Sequence, residues 1–392
     1  MQTDRARLST DFIKFYESEK AGAVLLVVCT TLALVLANSA FGAEYARLWE
    51  RQVGGLRIVE WVNDGLMAVF FLLIGLELAR EIYSGELAQP RKALLPVIAA
   101  LGGMLVPASI HFALNANSPT QSGAGIPMAT DIAFALGVLA LLGTRVPSAL
   151  KVFVVAYAVI DDLGAIVVIA MFYTADLSVA YLAGGVAVWG LLLALNRYFR
   201  VMALLPYAVG GVLMWWLLLQ SGVHATLAGV ALAFAIPYSS KDSDVASPSH
   251  KLELWLMKPV AFVILPVFAL ANTGVQLEPG WMQSLGDPNS QGIVLGLTLG
   301  KPLGVAMLTY AAVASGLCRL PSGINWRHVV GAGLLGGVGF TMSIFITNLA
   351  FEGEPSIVSS SKLAILIGSV TAGVAGYAWL RLVSVRDGTA AA

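Results

Sequence analysis

The chain has 392 residues, of which 58% are hydrophobic and 12% charged, about half the charged share of a soluble domain. Its 23 basic and 23 acidic residues cancel, which leaves no electrostatic footprint for nucleic acid or an acidic partner. Two cysteines, Cys29 and Cys318, are too few and too widely separated for a disulfide framework.

Residues Met1 to Lys20 are polar and lack the apolar core and small-residue cleavage site of a secretory leader. Beyond them lie about twelve apolar stretches long enough to cross a bilayer at about 20 residues each. They fall near 20–40, 60–83, 93–114, 122–143, 149–173, 177–196, 201–219, 221–238, 257–276, 292–315, 328–350 and 361–383. The expected fold is an all-α integral membrane protein of about twelve helices, one domain over 1–392. With the N-terminus inside, eighteen of the 23 Lys and Arg residues fall in inner segments. Four (Arg47, Arg51, Arg57 and Lys362) fall outside, and Lys301 falls within a span. Lys and Arg are retained on the cytoplasmic side, so both termini are expected in the cytoplasm.

Two connections carry further signals. Gly54-Gly55 lies between Arg47–Val53 and Leu56–Glu60 and predicts a β-hairpin over about 45–60, on the outer side. A lone hairpin is marginal in water, so it is expected to pair with its copy in a second subunit. The polar stretch over about 239–251 reads as a cytoplasmic linker between spans eight and nine. Glu77, Arg80 and Glu81 close span two on the same side, with Lys251 and Glu253 opening the next half. These read as an interfacial charge cluster.

Inside the apolar segments stand Asp131, the adjacent pair Asp161-Asp162, and Lys301. An ionisable group near the bilayer centre costs about 2.5–3.5 kcal/mol on insertion scales, so these groups mark function. Adjacent helical residues point about 100° apart. One of Asp161 and Asp162 can therefore pair with Lys301 while the other faces a water-filled cavity. A compact hard cation prefers oxygen ligands, which Asp161, Asp162, the Thr130 hydroxyl and freed carbonyls can supply. Span four carries Pro127 just before Thr130-Asp131, and span eleven carries Gly331, Gly333, Gly336, Gly337 and Gly339 before Thr341 and Ser343. Paired interruptions in corresponding spans point to the midplane ion site of a secondary transporter. Asp131 would then offset the positive ends of broken helices and Lys301 the negative ends.

Five motifs add a resemblance: Trp61-Val-Asn-Asp-Gly-Leu-Met-Ala-Val-Phe-Phe-Leu-Leu-Ile-Gly-Leu-Glu77, Ala129-Thr-Asp131, Ile160-Asp-Asp-Leu-Gly164, Ser221-Gly-Val-His-Ala-Thr-Leu-Ala-Gly229 and Gly300-Lys-Pro302. In this order, over about residues 10–383, they resemble the NhaA family of bacterial sodium/proton antiporters. The resemblance implies inverted repeats of spans three to five and ten to twelve, with spans four and eleven unwound and crossing at the midplane. It implies Asp162 as the main ion ligand, Asp161 bonded to Lys301, and a homodimer in the bacterial inner membrane. It also implies electrogenic exchange of Na+ or Li+ for H+, and a pH-sensing funnel around Glu77, Arg80, Glu81 and Glu253. The chain departs from the family pattern at Leu254 and Lys258, where histidines stand, so a histidine-based sensor is not expected. His224 is expected to pack or hydrogen-bond at one end of span eight.

Competition explains exchange: a protonated Asp162 cannot hold a metal ion, and a metal-bound Asp162 has lost its proton. The aspartates should titrate as a coupled unit, and cytoplasmic alkalinisation should switch transport on. An intramembrane aspartyl protease is disfavoured, because adjacent aspartates share no helix face and no Gly-x-Gly-Asp occurs. A sodium-coupled symporter of an organic solute is the alternative, although it has no need of a buried Lys301. Gly296-Leu-Thr-Leu-Gly-Lys-Pro302 is one residue short of a phosphate loop and lacks its Ser/Thr. Neither a nucleotide nor any other cofactor is expected beyond the transported ions.

Overall fold

A computed structural model describes residues 21–174, 177–238, 247–277 and 280–390. The N-terminal segment with Arg5, Arg7, Lys14 and Lys20, and most of the expected linker (239–246, including Lys241), lie outside the described residues. In chain order the helices are α1 (Ala21–Ala37), α2 (Gly42–Trp49), α3 (Ile58–Tyr83), α4 (Pro90–Leu114), α5 (Ile132–Leu142), α6 (Ser148–Phe172) and α7 (Val179–Arg197). They continue as α8 (Leu204–Leu219), α9 (Leu227–Ala235), α10 (Pro248–Thr273), α11 (Pro288–Ala314), α12 (Trp326–Gly336), α13 (Phe340–Ala350) and α14 (Pro355–Ala390). A 3₁₀ run, Pro119–Met128, precedes α5.

Each of the twelve expected segments coincides with a helix or a helix pair. Among the described residues eight helical segments are long and apolar enough to cross a bilayer alone, with the 3₁₀ run and α5 counted as one, and α12–α13 count as a further span bent by 47°. The remainder are α1, which turns through 114° into α2, and the shorter apolar helices α8 and α9. Span eight is shorter than expected because Ser221 to Thr226 form turns, with Gly222 at φ +80°. The fold is that of an all-α membrane protein with one small sheet.

The described residues of Met1–Leu32, Arg91–Asp161 and Val275–Ala392 form one compact unit, and those of Ala33–Pro90 and Asp162–Gly274 form a second. Besides most of α1, the first unit holds α4, the 3₁₀ run, α5, the first half of α6, and α11 to α14. All but α1 belong to the segments that the resemblance pairs as repeats. In this unit α4 and α11 touch at Gly102 and Gly304, where a Cβ on either would collide with the other's carbonyl oxygen. With no hydrophobic drive between helices in lipid, this close backbone approach supplies dispersion energy instead.

Among the described residues three π turns interrupt long helices, Trp61–Leu66 in α3, Val260–Ile264 in α10 and Gly296–Gly300 in α11, and a proline follows each of the last two, Pro266 and Pro302. A proline ring crowds the carbonyl four residues back, here Phe262 and Thr298, both inside the widened turn. Widening relieves the clash. In α11 it also sets the rotation at which Lys301 leaves the turn.

The second unit carries the hairpin. Strands β1 (Gln52–Val53) and β2 (Leu56–Arg57) pair antiparallel, Gln52 with Arg57 and Val53 with Leu56. Gly54 and Gly55 have φ of +63° and +90°, the left-handed geometry of a two-residue hairpin turn. The hairpin is shorter than the expected 45–60, because Ala43 to Leu48 are mostly good helix formers and continue α2 up to it. Arg57 fastens the turn to its flanks through Glu50 at 2.9 Å and Glu60 at 2.8 Å. Hydrogen bonds from its guanidinium to Glu60 and then Glu50 hold the group firmly in its charged form. Trp61 donates to the Val53 carbonyl at 2.8 Å and stacks on Trp215.

Candidate functional site

The site grows from two breaks in the first unit. Span four loses helical geometry between Met128 and Ile132, where Ala129 and Asp131 are extended. Span eleven breaks between Gly336 and Phe340. Unwound backbone at membrane depth must find partners within the protein, and these two breaks satisfy each other. The Asp131 N–H donates to the Val338 carbonyl at 2.6 Å. The Thr130 hydroxyl donates to the Gly336 carbonyl at 2.9 Å, and the Ser343 hydroxyl to the Ile126 carbonyl at 2.7 Å.

Asp131 ties the two broken spans together at their positive ends. It is the N-cap of α5, where Oδ1 accepts from the Phe134 N–H at 3.1 Å. Its Oδ2 reaches the first turn of α13, accepting from the Thr341 N–H at 3.1 Å and the Thr341 hydroxyl at 2.5 Å. Helix N-termini carry about half a positive charge, so one carboxylate offsets two of them.

Lys301 is fully buried, at 0% exposure, as is Asp161. The ammonium donates to Asp161 Oδ2 at 2.7 Å and to the Thr130 hydroxyl at 2.8 Å. Where Lys301 was expected to offset the negative ends of broken helices, the Thr130 hydroxyl stands between the ammonium and the Gly336 carbonyl. Asp162 follows Asp161 on α6, about 100° around the helix, and is 1% exposed. Among the described residues no three His, Cys, Asp or Glu side chains gather as a metal site.

The second unit holds the expected charge cluster. Arg80 Nε lies 3.2 Å from Glu253 Oε1, and Arg80 Nη2 lies 3.5 Å from Glu81 Oε1. Glu77 adds attraction to the same guanidinium. All four expected residues thus meet around Arg80.

The structure adds residues that sequence reasoning missed. His250 Nδ1 lies 3.5 Å from Glu253 Oε2; the signal was their i, i+3 spacing just after Ser247, which caps α10. A histidine therefore does touch Glu253, one turn before the position where the family pattern carries it. Tyr157 is fully buried, with its hydroxyl 3.3 Å from Thr130 Oγ1 and Lys301 Nζ 5.8 Å from its ring centroid. It stands four residues before Asp161 and so on the same helix face. His224 hydrogen-bonds the Tyr173 carbonyl at 2.6 Å, in keeping with the structural reading made for it.

Two broken spans that bond to each other beside a buried ion pair point to the class of secondary transporters. Comparison with known proteins narrows the class. The model of a family described as Na+/H+ antiporter 1 matches residues 13–380. A relative from Dechloromonas aromatica, named Na(+)/H(+) antiporter NhaA, is 60% identical over 99% of this chain and 100% of its own length. A namesake from Cytophaga hutchinsonii is 55% identical over 94% of both chains. One from Flavobacterium johnsoniae, NhaA 1, is 52% identical over 96% of this chain and 98% of its own. This chain belongs to the NhaA family of Na+/H+ antiporters.

Proposed function

We propose that the chain exchanges Na+ or Li+ for H+ electrogenically, by competition of the ions for Asp162 in a site that faces the two sides of the membrane alternately. The observation that carries this reading is the fully buried Lys301–Asp161 pair at the crossing of the broken spans, one residue from a second buried carboxylate. Lys301 compensates Asp161, and Asp162 is the carboxylate that alternates between proton and cation. Thr130 and carbonyls released at the breaks complete an oxygen shell of the kind hard cations take. The aspartates titrate as a coupled unit, and the second proton of an electrogenic cycle rides on Asp161 or Lys301. The chain works in the bacterial inner membrane with both termini cytoplasmic, as a homodimer joined in part through the hairpin at Gln52–Arg57.

The sign of the pH response follows from competition. The protonated site cannot hold Na+, so alkalinisation on the cytoplasmic side activates transport, and more Na+ moves activation to lower pH. The cluster of Glu77, Arg80, Glu81 and Glu253 tunes the midpoint through its field. Proteoliposomes with a pH-sensitive dye test the reading, with Na+ alone and no organic solute. Asp162→Asn abolishes exchange while leaving folded dimer, and a tenfold rise in Na+ lowers the wild-type midpoint by roughly half to one pH unit, for two or one competing protons. Wild-type rates in Asp162→Asn, or a midpoint indifferent to Na+, would overturn it. A strict requirement for an organic solute would point instead to a symporter.

A further inference from the structure

The Thr130 hydroxyl has one proton to give and two lone pairs to fill. Its proton goes to the Gly336 carbonyl at 2.9 Å, with the Asp161 carboxylate also beside the hydroxyl, and both groups can only accept. One lone pair takes the Lys301 ammonium at 2.8 Å. The other faces the Tyr157 hydroxyl at 3.3 Å, and with the Thr130 proton already committed the phenol is the donor. The oxygen is saturated: it has no lone pair left for a cation.

We propose that Tyr157 is a specificity-determining residue of the ion site, its hydroxyl holding the Thr130 lone pair that an entering Na+ must take. The proposal rests on the reading of Thr130 as an ion ligand. Sodium binding then displaces a hydrogen bond instead of filling an idle oxygen, which weakens affinity and lets the ion leave.

The surroundings of the ring suit this task. Tyr157 has 0% exposure and stacks on Phe153 with centroids 6.5 Å apart. Its hydroxyl lies against Gly336 and Gly103, where an added Cβ would crowd it. Lys301 sits over the ring at 5.8 Å, within cation–π range. Held on these sides, the phenol responds most easily by turning its O–H about the C–O bond, which releases the Thr130 lone pair without moving the ring.

Tyr157→Phe tests this, because it removes the hydroxyl and keeps the ring, the packing and the cation–π contact. The apparent KM for Na+ at fixed pH in proteoliposomes is expected to fall about two- to tenfold, the range of one modest neutral hydrogen bond. A merely structural role lowers turnover or melting temperature and leaves KM alone, so an unchanged or higher KM overturns the proposal. In a Thr130→Ala background the effect of Tyr157→Phe on KM is expected to vanish; its persistence would also overturn the proposal. Thr130→Ala by itself is expected to raise KM. If it does not, the ion-ligand reading of Thr130 fails and this proposal with it. If it does while Tyr157→Phe has no effect, only the proposal fails. Should Tyr157→Phe not give monodisperse protein, Tyr157→Met, also apolar and of similar length, is read by the same criteria.

Discussion

Replacing Lys301 by methionine tests the energetics of the crossing directly. The ammonium makes two short hydrogen bonds, to Asp161 at 2.7 Å and Thr130 at 2.8 Å. Neither partner of the ion pair has any solvent exposure. Removing one side of such a pair leaves the other charge buried without compensation, which costs about 3–5 kcal/mol. Unfolding entropy is about 2.1 cal/mol/K per residue, which for 392 residues turns that loss into a fall of about 4–6 °C. Asp161→Asn should cost about as much, because it strands the ammonium. The double variant Lys301→Met with Asp161→Asn should recover much of the loss, since removing both charges removes the burial penalty along with the attraction. The assay is a fluorescence thermal shift on detergent-purified protein for the four members of the cycle, read for a coupling of at least about 2 kcal/mol. Single variants that melt with wild type, or a double variant whose loss is the sum of the singles, would refute the argument that the pair is held by mutual compensation.

Other expectations follow from the same geometry. Asp131→Ala removes the caps of α5 and α13 together, and at about 1 kcal/mol for each cap should destabilise by about 2 kcal/mol in the same thermal assay; Asp131→Asn should lose less, because its carbonyl still accepts. Gly304→Ala puts a methyl onto the Gly102 carbonyl and should cost more than the usual 1–3 kcal/mol of core overpacking, seen as poor yield or a lowered melting temperature, whereas Gly190→Ala, which meets nothing within 4 Å, should be tolerated. Glu253→Gln loses its pairing with a partly exposed Arg80, so stability should fall by less than about 1 kcal/mol and the pH midpoint of exchange should move only slightly, measured against dye-reported transport at two sodium concentrations.

Much of this architecture could be read from residue order alone, for a physical reason. The bilayer enforces apolar stretches of nearly constant length, so spans announce themselves, and any charge among them stands out. Asp131, Asp161, Asp162 and Lys301 were visible for that reason; helix geometry allowed one of the two adjacent aspartates to pair with Lys301, and the family resemblance named Asp161. The geometry within the breaks was less legible. Pro119 to Met128 reads as half of a helix but winds as a 3₁₀ run, because two glycines and two prolines leave too few helix-favouring residues. The π turns at Val260–Ile264 and Gly296–Gly300 depend on how a proline ring meets a carbonyl one turn earlier, which composition does not display. Tyr157 was passed over because an aromatic residue in an apolar helix looks like packing, and its hydroxyl acquires meaning only once Thr130 is in place. The hairpin was overextended because Gly54-Gly55 fixes a turn but not where the strands end.

The bonds that hold the crossing together also govern how the chain can be made. Asp131 finds Thr341 only 210 residues later, Thr130 finds Gly336 after 206, and Asp161 finds Lys301 after 140. At roughly 5–20 residues per second of synthesis, these groups spend about 10–40 s, or somewhat less for Asp161, without their final partners. A nascent chain that stops before Lys301 thus lacks the partners of these polar groups, which lipid cannot replace. Biogenesis of this protein therefore has a point of commitment late in translation, when α11 to α13 arrive and close the centre that the first half leaves open.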